Sequence, residues 1–218
     1  MKSIHYTASA ILIGGILASC DNVAGPKAGV QSPTYRQAVA QYDAGNYAAA
    51  LPGLRMAAYQ GNPDALVKLG NCLEQGLGTE KNEYEAANCY SRAAGAGNAG
   101  AMNLLGNMYA DGVGVSRDIR RALSLYETAA AKGDGAALNN LGTCYRRGEG
   151  VPQDEARAAD YFRRAAERGN AAGMCNLGLC YLHGAGVEQN EDLAREWISR
   201  AAAKGNKSAI NHMQNFNW

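Results

Sequence analysis

Small and apolar residues recur along this chain at one fixed interval. Leu69-Gly70, Leu105-Gly106, Leu141-Gly142 and Leu177-Gly178 are each 36 residues apart. Ala86, Ala122, Ala158 and Ala194 keep the same register, as do the Ala pairs that begin at Ala93, Ala129, Ala165 and Ala201. Polar punctuation falls on the same beat at Gly61-Asn62, Gly97-Asn98, Gly133-Asp134, Gly169-Asn170 and Gly205-Asn206. Repetition at such a period marks a solenoid, in which each unit buries its apolar face on its neighbours. Four complete units span Gly61 to Lys204 without an insertion.

Each unit reads as two helices, A and then B. Asn62, Asn98, Asp134 and Asn170 are placed to cap helix A by accepting hydrogen bonds from its first free amides, and Pro63 suits the first helical position. Helix A is expected to stop near Gly76, Gly112, Gly148 and Gly184, after which Asn82, Asp118, Asp154 and Asn190 start helix B. Helix B carries the bulky pairs Cys89-Tyr90, Leu125-Tyr126, Tyr161-Phe162 and Trp197-Ile198. The repeated Leu is expected to fill the space between the helices, and the Gly beside it to let helix B approach through its own Ala. The segment 34–60, with Gly45-Asn46-Tyr47 followed by Ala48 to Leu51, resembles a shorter N-terminal helix pair of tetratricopeptide type. Residues 205–218 begin like another helix A and then end, as a C-terminal capping helix would.

Composition supports a packed array. Of 218 residues, 47% are hydrophobic and 19% charged, enough apolar content for a core and too little charge for disorder. Phe and Trp number two each, which favours thin layers of small residues over one bulky core. Lys and Arg total 21 against 20 for Asp and Glu, so no basic excess is available to neutralise nucleic-acid phosphates, and no nucleic-acid partner is expected.

The first residues carry a different signal. Lys2 supplies a positive start, and Ala8 to Leu17 form an apolar run too short to span a bilayer. Leu17-Ala18-Ser19-Cys20 follows. This tetrad resembles the lipobox of bacterial lipoproteins. The resemblance implies a signal peptide over 1–19, lipidation of Cys20, and a periplasmic chain tethered to a membrane through a flexible segment over 20–33. Asp21 resembles the residue that retains some lipoproteins at the inner membrane.

The repeating pattern of Ala, Leu-Gly, Tyr, Gly-x-Gly, a cap, Ala and Ala-Ala resembles the Sel-one-like repeat (SLR) family, relatives of tetratricopeptide repeats. Cys89 departs from the pattern where an aromatic is expected, Leu73 stands where Tyr109, Tyr145 and Tyr181 stand, and Gly173 replaces an Ala. The resemblance implies an all-α, right-handed superhelical solenoid of antiparallel helix pairs, with the A helices lining its concave face. A protein partner would be held there. One solvent-facing register of helix A reads Val67, Asn103, Asn139, Cys175 and Asn211, and the next reads Asn71, Asn107, Thr143 and Leu179. With Glu74, Gln75, Asp111, Arg146, Arg147 and His183 near the rim, the expected protein-binding groove is rich in amides and varies in charge along its length. Family resemblance further implies either an immunity protein that neutralises a secreted antibacterial toxin such as a phospholipase, or an adaptor for envelope or secretion machinery. A hydrolase acting on peptidoglycan or β-lactams is the remaining alternative, one that no residue here supports.

The pattern offers little for catalysis, and neither an enzyme nor a cofactor is expected. Gly-x-Gly recurs at Gly76, Gly112, Gly148 and Gly184, always between helices, which points to turn geometry and not to a phosphate loop. Glu74 and Asp111 read as solvated charges before they read as a carboxylate pair. Cys175, Cys180 and His183 lack a fourth ligand for a metal. Among Cys72, Cys89, Cys144, Cys175 and Cys180, only Cys72 and Cys89 are placed for a candidate disulfide, across one antiparallel pair; the alternative is five small buried hydrophobes.

Overall fold

The computed structural model describes residues 34–215. The signal segment 1–19, Cys20, the tether 20–33 and the last three residues of the expected capping helix lie outside the described residues. Within them the chain is all-helical. An N-terminal pair, α1 (Tyr35–Asp43) and α2 (Tyr47–Tyr59), precedes four units: α3 (Pro63–Gln75) with α4 (Glu83–Gly95), α5 (Ala99–Asp111) with α6 (Ile119–Ala131), α7 (Gly135–Arg147) with α8 (Glu155–Glu167), and α9 (Ala171–His183) with α10 (Glu191–Ala203). A single helix, α11 (Lys207–Asn215), closes the array.

The capping residues act as the sequence expects. Asn62, Asn98, Asp134 and Asn170 each accept from the amide three residues on, at 2.7 to 2.9 Å. The second caps Asn82, Asp118, Asp154 and Asn190 do the same for helix B. Helix A ends where Gly76, Gly112, Gly148 and Gly184 turn left-handed, with φ between 69° and 73°. These positions need no Cβ, and the change of hand frees the chain to turn toward helix B.

Every helix packs on its partner and each B packs on the A that follows, so the core is a stack of thin layers. Ala86, Ala93, Ala122, Ala129, Ala165, Ala194 and Ala201 are fully enclosed. One expectation about this packing is corrected. The repeated Gly does not mainly make room for the Ala of helix B; it makes room for a bulky side chain. A Cβ at Gly70 would fall 2.5 Å from the Tyr90 ring, at Gly106 2.5 Å from Tyr126, at Gly142 2.6 Å from Phe162, and at Gly178 2.6 Å from Ile198. In the third and fourth units the carbonyl of the Ala lies a little farther off, at 3.1 Å. The reason is reach: the second member of each bulky pair projects across the interface and lies on the bare backbone opposite.

The recurrent Gly-x-Gly is a turn, and its second glycine has a further duty. A side chain at Gly78, Gly114 or Gly186 would run into the backbone of the first turn of α2, α4 or α8, and at Gly150 into the Ile119 and Leu123 side chains of α6. Each loop thus rides on the start of the preceding helix B and sets the spacing of the stack.

Candidate functional site

The A helices of successive units touch directly, α5 with α7 and α7 with α9, and no pair of B helices among the described residues packs as closely. The array therefore curves toward its A side. The amides assigned to this face are placed there, but most are not free to meet solvent.

Asn103 is buried, 7% exposed, and its Oδ1 accepts from Asn140 Nδ2 at 2.9 Å. The same Asn140 amide donates to Asn107 Oδ1 at 2.9 Å, an oxygen that also accepts the Tyr126 hydroxyl at 2.8 Å. One unit on, Asn176 Nδ2 donates to Asn139 Oδ1 at 2.8 Å. Asn71 joins a third group: its Nδ2 donates to the Tyr42 hydroxyl at 3.2 Å, and the Tyr90 hydroxyl lies 2.7 Å from both Asn71 Oδ1 and Glu74 Oε2. Thr143 donates back to the Asn139 carbonyl at 3.1 Å. The bonds of Asn71 to Tyr42, of Asn140 to Asn103 and Asn107, and of Asn176 to Asn139 cross from one A helix to the next and bind units together. The Tyr90 and Tyr126 hydroxyls tie helix B to helix A within a unit.

The reading of Asn103 and Cys175 as solvent-facing is thus overturned, and Asn71, Asn107, Asn139 and Thr143 are half-buried. Asn140 and Asn176 are the residues that sequence reasoning missed. They also stand 36 residues apart, and that repeat was the available signal. Burial lifts the Tyr90 and Tyr126 phenols well above their usual range, so both remain neutral donors within the network.

The remaining assigned residues lie at the ends of the A helices. Glu74 is half-buried against Tyr90, and the half-buried Arg146 guanidinium lies 5.5 Å from the centre of the Phe162 ring. Gln75, Asp111, Arg147 and His183 are all exposed. Each is the last residue of its A helix, so they form one row at the repeat spacing. Arg147 lies 3.5 Å from Glu149, an exposed ion pair that restrains it little.

Cys72 and Cys89 are separate buried thiols, as are Cys144, Cys175 and Cys180. Burial raises all five, and pushes Cys144 and Cys180 up to about 11, so none is set up as a nucleophile. No three His, Cys, Asp or Glu converge on a metal position among the described residues.

A family profile described as the Sel1 repeat matches residues 63–98, 99–134, 135–170 and 171–206, the whole of the repeating region. The chain belongs to the Sel1 repeat family. Among solved structures, a Sel1 repeat protein from Oxalobacter formigenes is similar at 32% identity and a TM-score of 0.73, over 81% of this chain and 72% of that one. A protective antigen present in uropathogenic Escherichia coli strains, displaying an SLR fold, is similar at 31% identity and a TM-score of 0.66, over 80% of this chain and 40% of that one. A search of curated proteins finds no match. Sel1 repeats form a scaffold for protein interactions, and the exposed row at the ends of the A helices varies from unit to unit while the caps and packing glycines repeat.

Proposed function

We propose that this Sel1 repeat chain is a membrane-tethered periplasmic module that holds a protein partner along the ends of its A helices. In its most specific form, it is an immunity protein that neutralises a secreted antibacterial toxin. The observation that carries the binding reading is the row Gln75, Asp111, Arg147 and His183: an amide, an acid, a base and an imidazole, exposed at equivalent positions of units that share their caps and packing residues. Neighbouring units place these groups about 10 Å apart, so a partner meets four different chemistries in a fixed order. The lipobox-like Leu17 to Cys20 supports the tether, which would confine an inhibitor to the compartment where a toxin acts.

The test replaces all four row residues with Ala. A partner captured by the wild-type protein from envelope extracts should be lost with this variant while its melting temperature is unchanged; capture that persists overturns the row. For the finer reading, cells making the protein should survive co-culture with a toxin-secreting rival and lose that protection with the same variant. Survival that does not depend on the protein removes the immunity role. Cys20→Ala should abolish palmitate labelling and release the chain from membranes, and labelling that continues removes the anchor.

A further inference from the structure

A second surface lies on the edge formed by the A-to-B loops, lined by side chains other than the row. Two adjoining cavities of 720 and 320 Å³ share Tyr84, Tyr109 and Val115 as walls. They run from the outer side of α4 to the loop before α6. Tyr84 is 72% exposed in the first turn of α4. The equivalent residues of later units are Arg120, Ala156 and Asp192, so the fold does not require an aromatic there.

The charge of this groove is one-sided. Arg92, Arg117 and Arg121 line it, against Asp118 alone. Arg92 and Arg117 are each held by one anchor, Arg121 also by an ion pair with Asp118 at 3.5 Å, and each keeps other donors free. Arg92 donates to the Ala58 carbonyl at 2.9 Å, and Arg117 to the Ala110 carbonyl at 2.9 Å. Arg121 donates to the Tyr109 hydroxyl at 3.1 Å while its guanidinium lies 5.4 Å from the centre of that ring. Later units lose this balance on the outer side of helix B: Asn88 and Ser124 give way to Asp160 and Glu196, which pair with arginines. Preset guanidinium groups beside an exposed aromatic and an aliphatic wall match a carboxylate next to an apolar side chain.

We propose that this groove binds an acidic, extended segment of a partner protein, its carboxylates on Arg117 and Arg121 and an apolar side chain against Tyr84 and Val115. The site is independent of the row on the A helices.

A random-peptide display library panned on the purified protein tests it. Enriched peptides should carry Asp or Glu beside an aliphatic or aromatic residue. Fluorescence anisotropy with the best of them should show binding that weakens by about tenfold in Tyr84→Ala and in Arg121→Gln, as expected for an aromatic anchor and a paired charge. Added salt should weaken it further, and Asp111→Ala and Arg147→Ala should leave it unchanged. Tyr84→Ala removes an exposed ring and should keep the wild-type melting temperature. No enrichment, enrichment of basic peptides, or binding indifferent to both groove variants overturns the proposal. Loss of binding only in the Asp111 and Arg147 variants also overturns it, and would assign the peptides to the row instead.

Discussion

Gly106→Ala is the sharpest perturbation of the packing described above. The added Cβ would fall 2.5 Å from Tyr126 Cε1 and 2.8 Å from Cδ1, against about 3.5–4.0 Å for an ordinary carbon contact. The ring must therefore move by about 1 Å, and it is poorly placed to do so. Tyr126 is 3% exposed, and its hydroxyl is tied at 2.8 Å to Asn107 Oδ1, which Asn140 also occupies. Overpacking costs about 1–3 kcal/mol. Stretching the hydroxyl bond adds about 1 kcal/mol, while Ala recovers about 1 kcal/mol of helix propensity over Gly. The net is a loss of about 1–3 kcal/mol, or roughly 3–8 °C in melting temperature for a chain of this size. The control is the same chemical change at Gly95 in the last turn of α4, where an added Cβ meets nothing within 4 Å. There the propensity gain stands alone, so the melting temperature should stay level or rise. Thermal unfolding followed by circular dichroism reads both. A Gly106→Ala protein as stable as wild type, or a Gly95→Ala protein that falls as far, would refute the assignment of this glycine to ring packing.

Gly142→Leu should act in the same direction and further, since the larger side chain meets Phe162 and the Ala158 carbonyl together, and an unchanged melting curve contradicts it. Asn140→Ala removes the donor from two oxygens and leaves the buried Asn103 carbonyl unpaired, at a cost of about 1–3 kcal/mol by urea unfolding; Asn88→Ala, on an exposed position of α4, should change little. The five buried thiols should resist alkylation at pH 8 in the folded protein and react once urea unfolds it; rapid native labelling would contradict their burial. The raised Cys144 and Cys180 also fix a sign. Their neutral forms favour the folded state, so that contribution is complete below the ordinary thiol value of 9.0 and is lost as pH rises toward about 11. Replacing both with Ala should therefore flatten the fall of the urea midpoint across that window.

The helices were legible because their signals are local. A cap and the amide it accepts from lie three residues apart, and a glycine that ends a helix sits at the end it makes, so Asn62 and Gly76 can be read one at a time. The amide network was not legible, because its bonds join residues 33 and 37 positions apart on different A helices. Asn139 and Asn140 are adjacent and about 100° apart around their helix. Sequence alone does not say which of the two points at α5 and which at α9. The packing glycine was half legible: its need for space is plain from its recurrence, but whether an Ala or a ring fills that space depends on the reach of the side chain opposite. Tyr84 could have been found by setting the units against one another in the first turn of helix B, the comparison that singled out Cys89 and Leu73 elsewhere.

The division between bonded and unbonded polar groups bears on how this surface recognises anything. An amide that joins two units is committed twice, since losing it would unpair its neighbour, and a partner competing for it would have to replace that bond. Asn103, Asn107 and Asn139 therefore serve to hold successive A helices together. In the proposed function, specificity falls to side chains with no such duty, among them those at the helix ends and along the loop edge. The proposed row of Gln75, Asp111, Arg147 and His183 can then change without weakening the stack, because none of the four takes part in the amide network.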